Sequence, residues 1–141
     1  TPCPPARARA KPDLTDTSKA VSASWAVTWP QRRFYFAGDT GYFAGFKEIG
    51  KKLGPFDLAA VPIGAYEPNA MMKVSHMNPE EAVQAAVDIK ADRAVAIHFG
   101  TFNLSDEPLT EPPLRFKAAA ENSNLGADNI WVLNIGETRR F

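Results

Sequence analysis

The chain has 141 residues, is 45% hydrophobic and carries no formal net charge. That length suits one domain with a packed core, and the balanced charge argues against a nucleic-acid groove, which needs an excess of Lys and Arg. No run of about 18 apolar residues occurs, which excludes a membrane-spanning helix, and the single cysteine, Cys3, excludes an internal disulfide and fits a reducing compartment.

The first residue is Thr1, no methionine precedes Met71, and the Pro- and Arg-rich opening lacks the apolar stretch of a signal peptide. The expectation is a piece of a longer chain. Residues 1–20 hold four prolines without periodicity and read as an irregular segment, with the domain proper at residues 21–141. Ala23, Trp25, Val27 and Trp29 alternate with small or polar residues, the pattern of a half-buried strand over residues 22–29. Pro30 to Arg33 make a polar turn, and Phe34 to Ala37 return as a second aromatic strand, completing an antiparallel hairpin.

The hairpin ends in Gly38-Asp39-Thr40-Gly41, a glycine-bracketed turn that aims a carboxylate. Phe43, Phe46, Ile49, Gly50 and Leu53 then recur at helical spacing, with Glu48 and Lys52 paired on the other side, and Gly54-Pro55 stop the helix. Residues 57–64 read as a strand buried on both faces, although Pro62 demotes its end to an edge or a bulge. Residues 65–77 read as a loop. Asn78 is a good N-cap, with Pro79 at the first helical position and Glu80 and Glu81 at the positive end of the dipole, for a helix to about Lys90. Residues 93–99 form the next buried strand, Pro112 and Pro113 open a helix to about Asn122, and residues 130–135 form the last strand. The order ββ-α-β-α-β-α-β means helices laid on a sheet, with sites in the loops at strand ends.

Three chemically loaded residues fall in those places. Asp39 suits a metal site, an acid/base role or an ordinary helix N-cap. His98 closes an apolar strand and is either a satisfied core histidine or, with a carboxylate, a ligand for Zn, Mn or Fe. His76 is either a loop histidine near a cap or a general acid/base or anion-orienting group. Tyr66 and the Met71-Met72 pair read either as core or as the lining of an apolar mouth for a lipid tail. Cys3 has no role, and Arg139-Arg140 read as solvated.

Ala37-Gly-Asp-Thr-Gly-Tyr42, Pro62-Ile-Gly-Ala-Tyr-Glu-Pro68, His76-Met-Asn-Pro-Glu-Glu-Ala-Val83, Ala96-Ile-His-Phe-Gly-Thr-Phe102 and Gly136-Glu-Thr-Arg-Arg140 follow one another in register. Over about residues 20–141 the chain resembles the N-acyl-phosphatidylethanolamine-hydrolysing phospholipase D family of the metallo-β-lactamase superfamily. The resemblance implies an α/β fold, the C-terminal half of an αββα sandwich, with two zinc ions at the edge between two sheets. It implies attack of a metal-bound hydroxide on the phosphodiester of an N-acylphosphatidylethanolamine, giving phosphatidate and an N-acylethanolamine. By motif, Asp39 resembles the carboxylate bridging the two zincs, His98 a terminal ligand, and His76 a histidine near the substrate phosphate, outside the metal shell.

The resemblance also implies ligands that are absent here. The family's His-x-His-x-Asp-His cluster belongs to the first half of the domain. Its Thr-Pro-x-x-His segment reads Thr1-Pro-Cys-Pro-Pro5, with Pro5 at the histidine's place. Two of seven ligands do not close a zinc site, so zinc retention and activity by this chain alone are not expected. With one sheet largely present, the aromatic hairpin is expected to expose its partner-facing side and to leave the chain marginally folded. Expected partners are a phospholipid substrate and, in the intact protein, a peripheral membrane contact, with a homodimer open and no nucleic acid. The location expected is cytoplasmic or peripheral to a membrane. The alternatives are a metallo-β-lactamase-fold hydrolase of another phosphodiester or a lactone, or a non-catalytic remnant serving as an interaction module.

Overall fold

The computed structural model describes the backbone of residues 2–5 and, with side chains, residues 23–141. Six strands form one sheet in sequence order, β1 (Pro2–Pro5), β2 (Ala23–Trp29), β3 (Arg32–Phe36), β4 (Leu58–Pro62), β5 (Ala94–Ile97) and β6 (Ile130–Trp131). The first three are antiparallel, and β3 to β6 are parallel. Helices α1 (Gly45–Lys52), α3 (Pro79–Asp88) and α4 (Glu111–Glu121) supply the crossovers, and a short helix α2 (Asn69–Met72) precedes α3.

The hairpin is where the alternation puts it, with Trp25 opposite Phe36, Ala26 opposite Tyr35 and Val27 opposite Phe34. Opposed residues share a face. Ala26 and Tyr35 are therefore buried under the helices, together with Ala37, Ala59, Val61, Ala94 and Ala96. The helices return Phe46 and Ile49 from α1, Val83 and Ala86 from α3 and Phe116 from α4 into the same core. The alanines of α3 let it lie close to the sheet. Each fully buried aromatic or branched side chain contributes about 1.5–3 kcal/mol.

The opposite face is also apolar but open. Trp25, Val27, Trp29 and Phe36 remain 39–51% exposed, as expected of a hairpin whose partner-facing side lacks a covering sheet. The C-terminal residue covers part of this face. Phe141 packs on Trp29 and Phe34 at 6.3 and 6.1 Å between ring centroids, and its carbonyl accepts from Arg32 Nε at 3.0 Å.

Four elements differ from the sequence reading. Pro2–Pro5, expected as irregular, pair with β2 as an edge strand with an irregular register, the kind of position to which prolines in sheets are largely confined; residues 6–20 of the expected irregular segment lie outside the described residues. Pro62 marks neither an edge nor a bulge. It ends β4, a central strand between β3 and β5, and Ile63 resumes the ladder by donating to the Ile97 carbonyl at 3.1 Å. The 65–77 loop contains α2, started by Glu67, whose carboxylate accepts from the Asn69 N–H at 2.9 Å. The last strand stops at Trp131, because the chain turns away at Asn134, whose carbonyl accepts from Glu137 N.

The helix α3 begins as the residues dictate. Asn78 Oδ1 accepts from Glu81 N at 2.8 Å and Glu81 Oε2 accepts from Asn78 N at 3.1 Å, a complete capping box with Pro79 in the first turn. Arg115 of α4 ties the two helices by a bidentate contact with Glu80 at 2.7 and 3.0 Å. Truncating the fully buried Phe116 beneath this contact tests the core directly. Phe116→Ala should lower the unfolding free energy by about 3–5 kcal/mol in a urea titration.

Candidate metal centre

The parallel strands β3, β4 and β5 all end at one edge of the sheet, and the loops after them bring Asp39, His76 and His98 together. Asp39 lies three residues beyond β3. Gly38 takes φ +71°, the left-handed conformation that turns the chain there. Gly41 is needed for a different reason, since a Cβ on it would lie 2.7 Å from the Lys73 carbonyl oxygen and 2.8 Å from that of Val74. The close approach of residues 73–74 to this turn carries His76 over Asp39. Helix α1 is capped at Ala44, so Asp39 is not a helix cap.

His98 follows directly on β5 and adopts φ +60°. A left-handed histidine costs about 1–3 kcal/mol and persists only when its surroundings hold it. Its Nε2 lies 3.8 Å from Asp39 Oδ2, while His76 Nδ1 lies 2.8 Å from Asp39 Oδ1. The imidazole rings are 5.4 Å apart. One ligand atom from each residue falls within 4.8 Å of the others.

These distances fit a cation. Two donors each about 2.1 Å from a tetrahedral metal lie roughly 3.4 Å apart, so the Asp39–His98 spacing is too long for a hydrogen bond and near that of co-ligands. His76 is closer. Its 2.8 Å contact has hydrogen-bond length, yet Nδ1 is buried without an aligned acceptor. His76 thus stands directly against the Asp39 carboxylate, and the co-ligand spacing belongs to Asp39 and His98. One carboxylate and two imidazoles are the donor set of Zn, Mn or Fe. Burial by itself would raise the Asp39 pKa, but contact with His76 and the charges of His76 and His98 outweigh it and hold the carboxyl below its usual value. Asp39 therefore stays ionised, as a ligand must.

An apolar cavity of about 260 Å³ opens beside His98, lined by Ala65, Phe99, Phe102, Leu104, Leu109 and Pro112. It is not the mouth that the sequence suggests. Tyr66 is fully buried, its hydroxyl donates to Glu111 Oε1 at 2.8 Å and Arg115 lies over its ring, so it belongs to the scaffold. Met71 and Met72 sit on α2, Met71 largely exposed, and neither lines the cavity. The lining of residues 99–109 had no periodicity to reveal it. Nor had Glu107, a buried acid at the cavity wall.

Residues 2–99 match the family model of the Beta-lactamase superfamily domain. The chain belongs to that superfamily. It is 46% identical over 138 residues to N-acyl-phosphatidylethanolamine-hydrolyzing phospholipase D 1 of Caenorhabditis elegans, an alignment covering 96% of this chain and 39% of the relative. It is 36% identical over 111 residues to a metal-dependent hydrolase of Listeria monocytogenes, covering 79% and 41%. Among solved structures, the metallo hydrolase Igni18 of Ignicoccus hospitalis superposes with a TM-score of 0.68 at 25% identity, over 96% of this chain and 49% of that one. The chain thus spans less than half the length of these relatives, and its fold is the C-terminal half of the metallo-β-lactamase sandwich. Among the described residues, no helix is long and apolar enough to cross a membrane.

The centre is testable with metal alone. Zn²⁺ titrated into the protein should shift the ring resonances of its two histidines. Asp39→Asn should weaken binding by about tenfold or more in a competition titration with a chelator.

Proposed function

We propose that this chain carries the C-terminal half of the active site of a zinc-dependent phospholipase D, which hydrolyses N-acylphosphatidylethanolamine to phosphatidate and an N-acylethanolamine. The observation that carries the reading is the convergence of Asp39 and His98 at co-ligand spacing on the shared edge of β3 and β5. The superfamily membership and the phospholipase D relative support it.

A divalent metal held by Asp39 and His98, with further ligands from outside these residues, supplies a Lewis acid for the phosphoryl oxygens and a lowered pKa for water. The chain's own residues do the rest. Asp39, kept ionised by its imidazole neighbours, has one carboxylate oxygen toward His76 and the other toward His98, and would serve as the carboxylate ligand shared between metals. His98 presents Nε2 as a terminal ligand. His76 stands on the other side of Asp39 and within reach of the same edge, where a protonated imidazole can orient a phosphate oxygen or give a proton to the leaving alkoxide. The apolar cavity beside His98 suits a substrate with a hydrocarbon part, and exposed Met71 extends apolar surface on α2 for a lipid interface. Peripheral contact with a membrane follows from such a substrate.

The native protein is to be incubated with vesicles containing N-acylphosphatidylethanolamine and Zn²⁺, and the products read by mass spectrometry. Release of an N-acylethanolamine is expected, falling by about 100-fold or more in Asp39→Asn. Undiminished turnover in that variant would refute the role of Asp39. Cleavage of a water-soluble phosphodiester without cleavage of the lipid would replace the substrate assignment.

A further inference from the structure

Glu107 sits in the loop between His98 and α4, and only 7% of its surface is exposed. Every donor around its carboxylate is accounted for. Oε1 accepts from Ala65 N at 2.6 Å and from Ser105 Oγ at 2.8 Å, and Oε2 accepts from Glu67 N at 3.0 Å. Asp106 N adds a bond to the Glu67 carbonyl at 3.3 Å. One side chain therefore clamps the turn of residues 64–67 to the loop that lines the cavity. Two backbone N–H bonds to an ionised carboxylate are of the stronger, charge-assisted kind. Burial by itself would raise the Glu107 pKa, but the bond from Ser105, with those from the backbone of Glu107 itself, Glu67 and Ala65, holds the carboxyl below its usual value.

The clamped turn lies directly against His98. A Cβ on Gly64 would stand 2.3 Å from the His98 carbonyl oxygen, so the two backbones touch with no side chain between them. Both sides of that contact are in left-handed backbone, Ala65 at φ +62° and His98 at φ +60°. Neither conformation is one that a residue with a Cβ adopts unaided. A carboxylate that holds Ala65 by its N–H holds the turn in place, and the turn leaves His98 no room to relax toward a strand.

We propose that Glu107 is a positioning residue for His98, holding the Gly64–Glu67 turn against the His98 backbone and so fixing the imidazole beside Asp39. Its relevance to metal binding rests on the reading of His98 as a ligand. The His76 backbone is held separately, by the approach of residues 73–74 to Gly41 and by the Asn78–Glu81 capping box, so a displacement confined to His98 reaches it only through the neighbouring ring 5.4 Å away.

The protein has two histidines, so its imidazole resonances can be followed by nuclear magnetic resonance without metal. In Glu107→Ala the His98 resonances should shift and broaden while those of His76 move less, and Zn²⁺ affinity should fall by about tenfold. Glu107→Gln keeps the shape but accepts from only one of the two backbone N–H groups, and it should give an intermediate displacement. His98 resonances coinciding with wild type in both variants overturn the proposal. So does equal movement of both histidines, which is the mark of general loosening. Should the alanine variant fail to fold, the glutamine variant decides by the same criterion. Zn²⁺ binding that is undiminished in Asp39→Asn counts against the ligand reading alone, because the displacement of His98 is read without metal.

Discussion

The parallel ladders joining β3, β4 and β5 run these strands toward one edge of the sheet, so the loops that leave them meet there. Everything that gives the molecule chemical character depends on that alignment. Asp39 and His98 are 59 positions apart in sequence, yet each lies within a few residues of a strand end on the same edge, and a ladder of carbonyl and N–H pairs sets the distance between the two ends. The helices matter chiefly as the crossovers that make parallel pairing feasible, and as the layer that buries one face of the sheet. A shift of register in β5 would move His98 to the other face and dissolve the centre.

The edge is held with several unfavourable backbone conformations. Gly38, Ala65, His98 and Gly100 are all left-handed and all lie in loops leaving β3, β4 or β5. For Ala65 and His98 the cost falls on residues that carry a Cβ, and each is opposed by contacts that do not depend on metal. Glu107 accepts from the N–H of the first, and the close backbone contact with Gly64 restrains the second. Local instability at the site is thus offset by hydrogen bonding and packing a few residues away, a common arrangement where side chains are aimed at a ligand.

The sheet is apolar on both faces, and among the described residues the helices cover one of them. Burial of Tyr35, Phe46, Phe56 and Phe116 builds the closed side. On the open side, exposed tryptophans and phenylalanines lie in a row, with Phe141 covering Trp29 and Phe34. A sheet of this kind belongs in the middle of a sandwich. That agrees with the share of the relatives' length that this chain spans.

Local patterns carried much of this in the sequence itself. Period two in β2, the helical stripe of α1 and the cap of Asn78 each rest on neighbours a few residues apart, and each stands in the structure. The strand-end positions of Asp39 and His98 were legible for the same reason. What depended on distant partners was not. Pro2–Pro5 read as loop because an edge strand needs only the neighbour it pairs with, and Pro62 read as an edge because its sequence says nothing of the strands on either side. Tyr66 read as either core or the lining of a mouth, and Glu111 and Arg115, 45 and 49 positions on, place it in the scaffold. Glu107 gave no signal at all, since its role is made by three donors from two separate loops. Sequence alone determined the elements and the chemistry available at their ends, because hydrogen-bonding period and capping are local. Only the tertiary structure decided which of those groups meet and what holds them, because that depends on strand register and on backbone contacts between segments far apart in the chain.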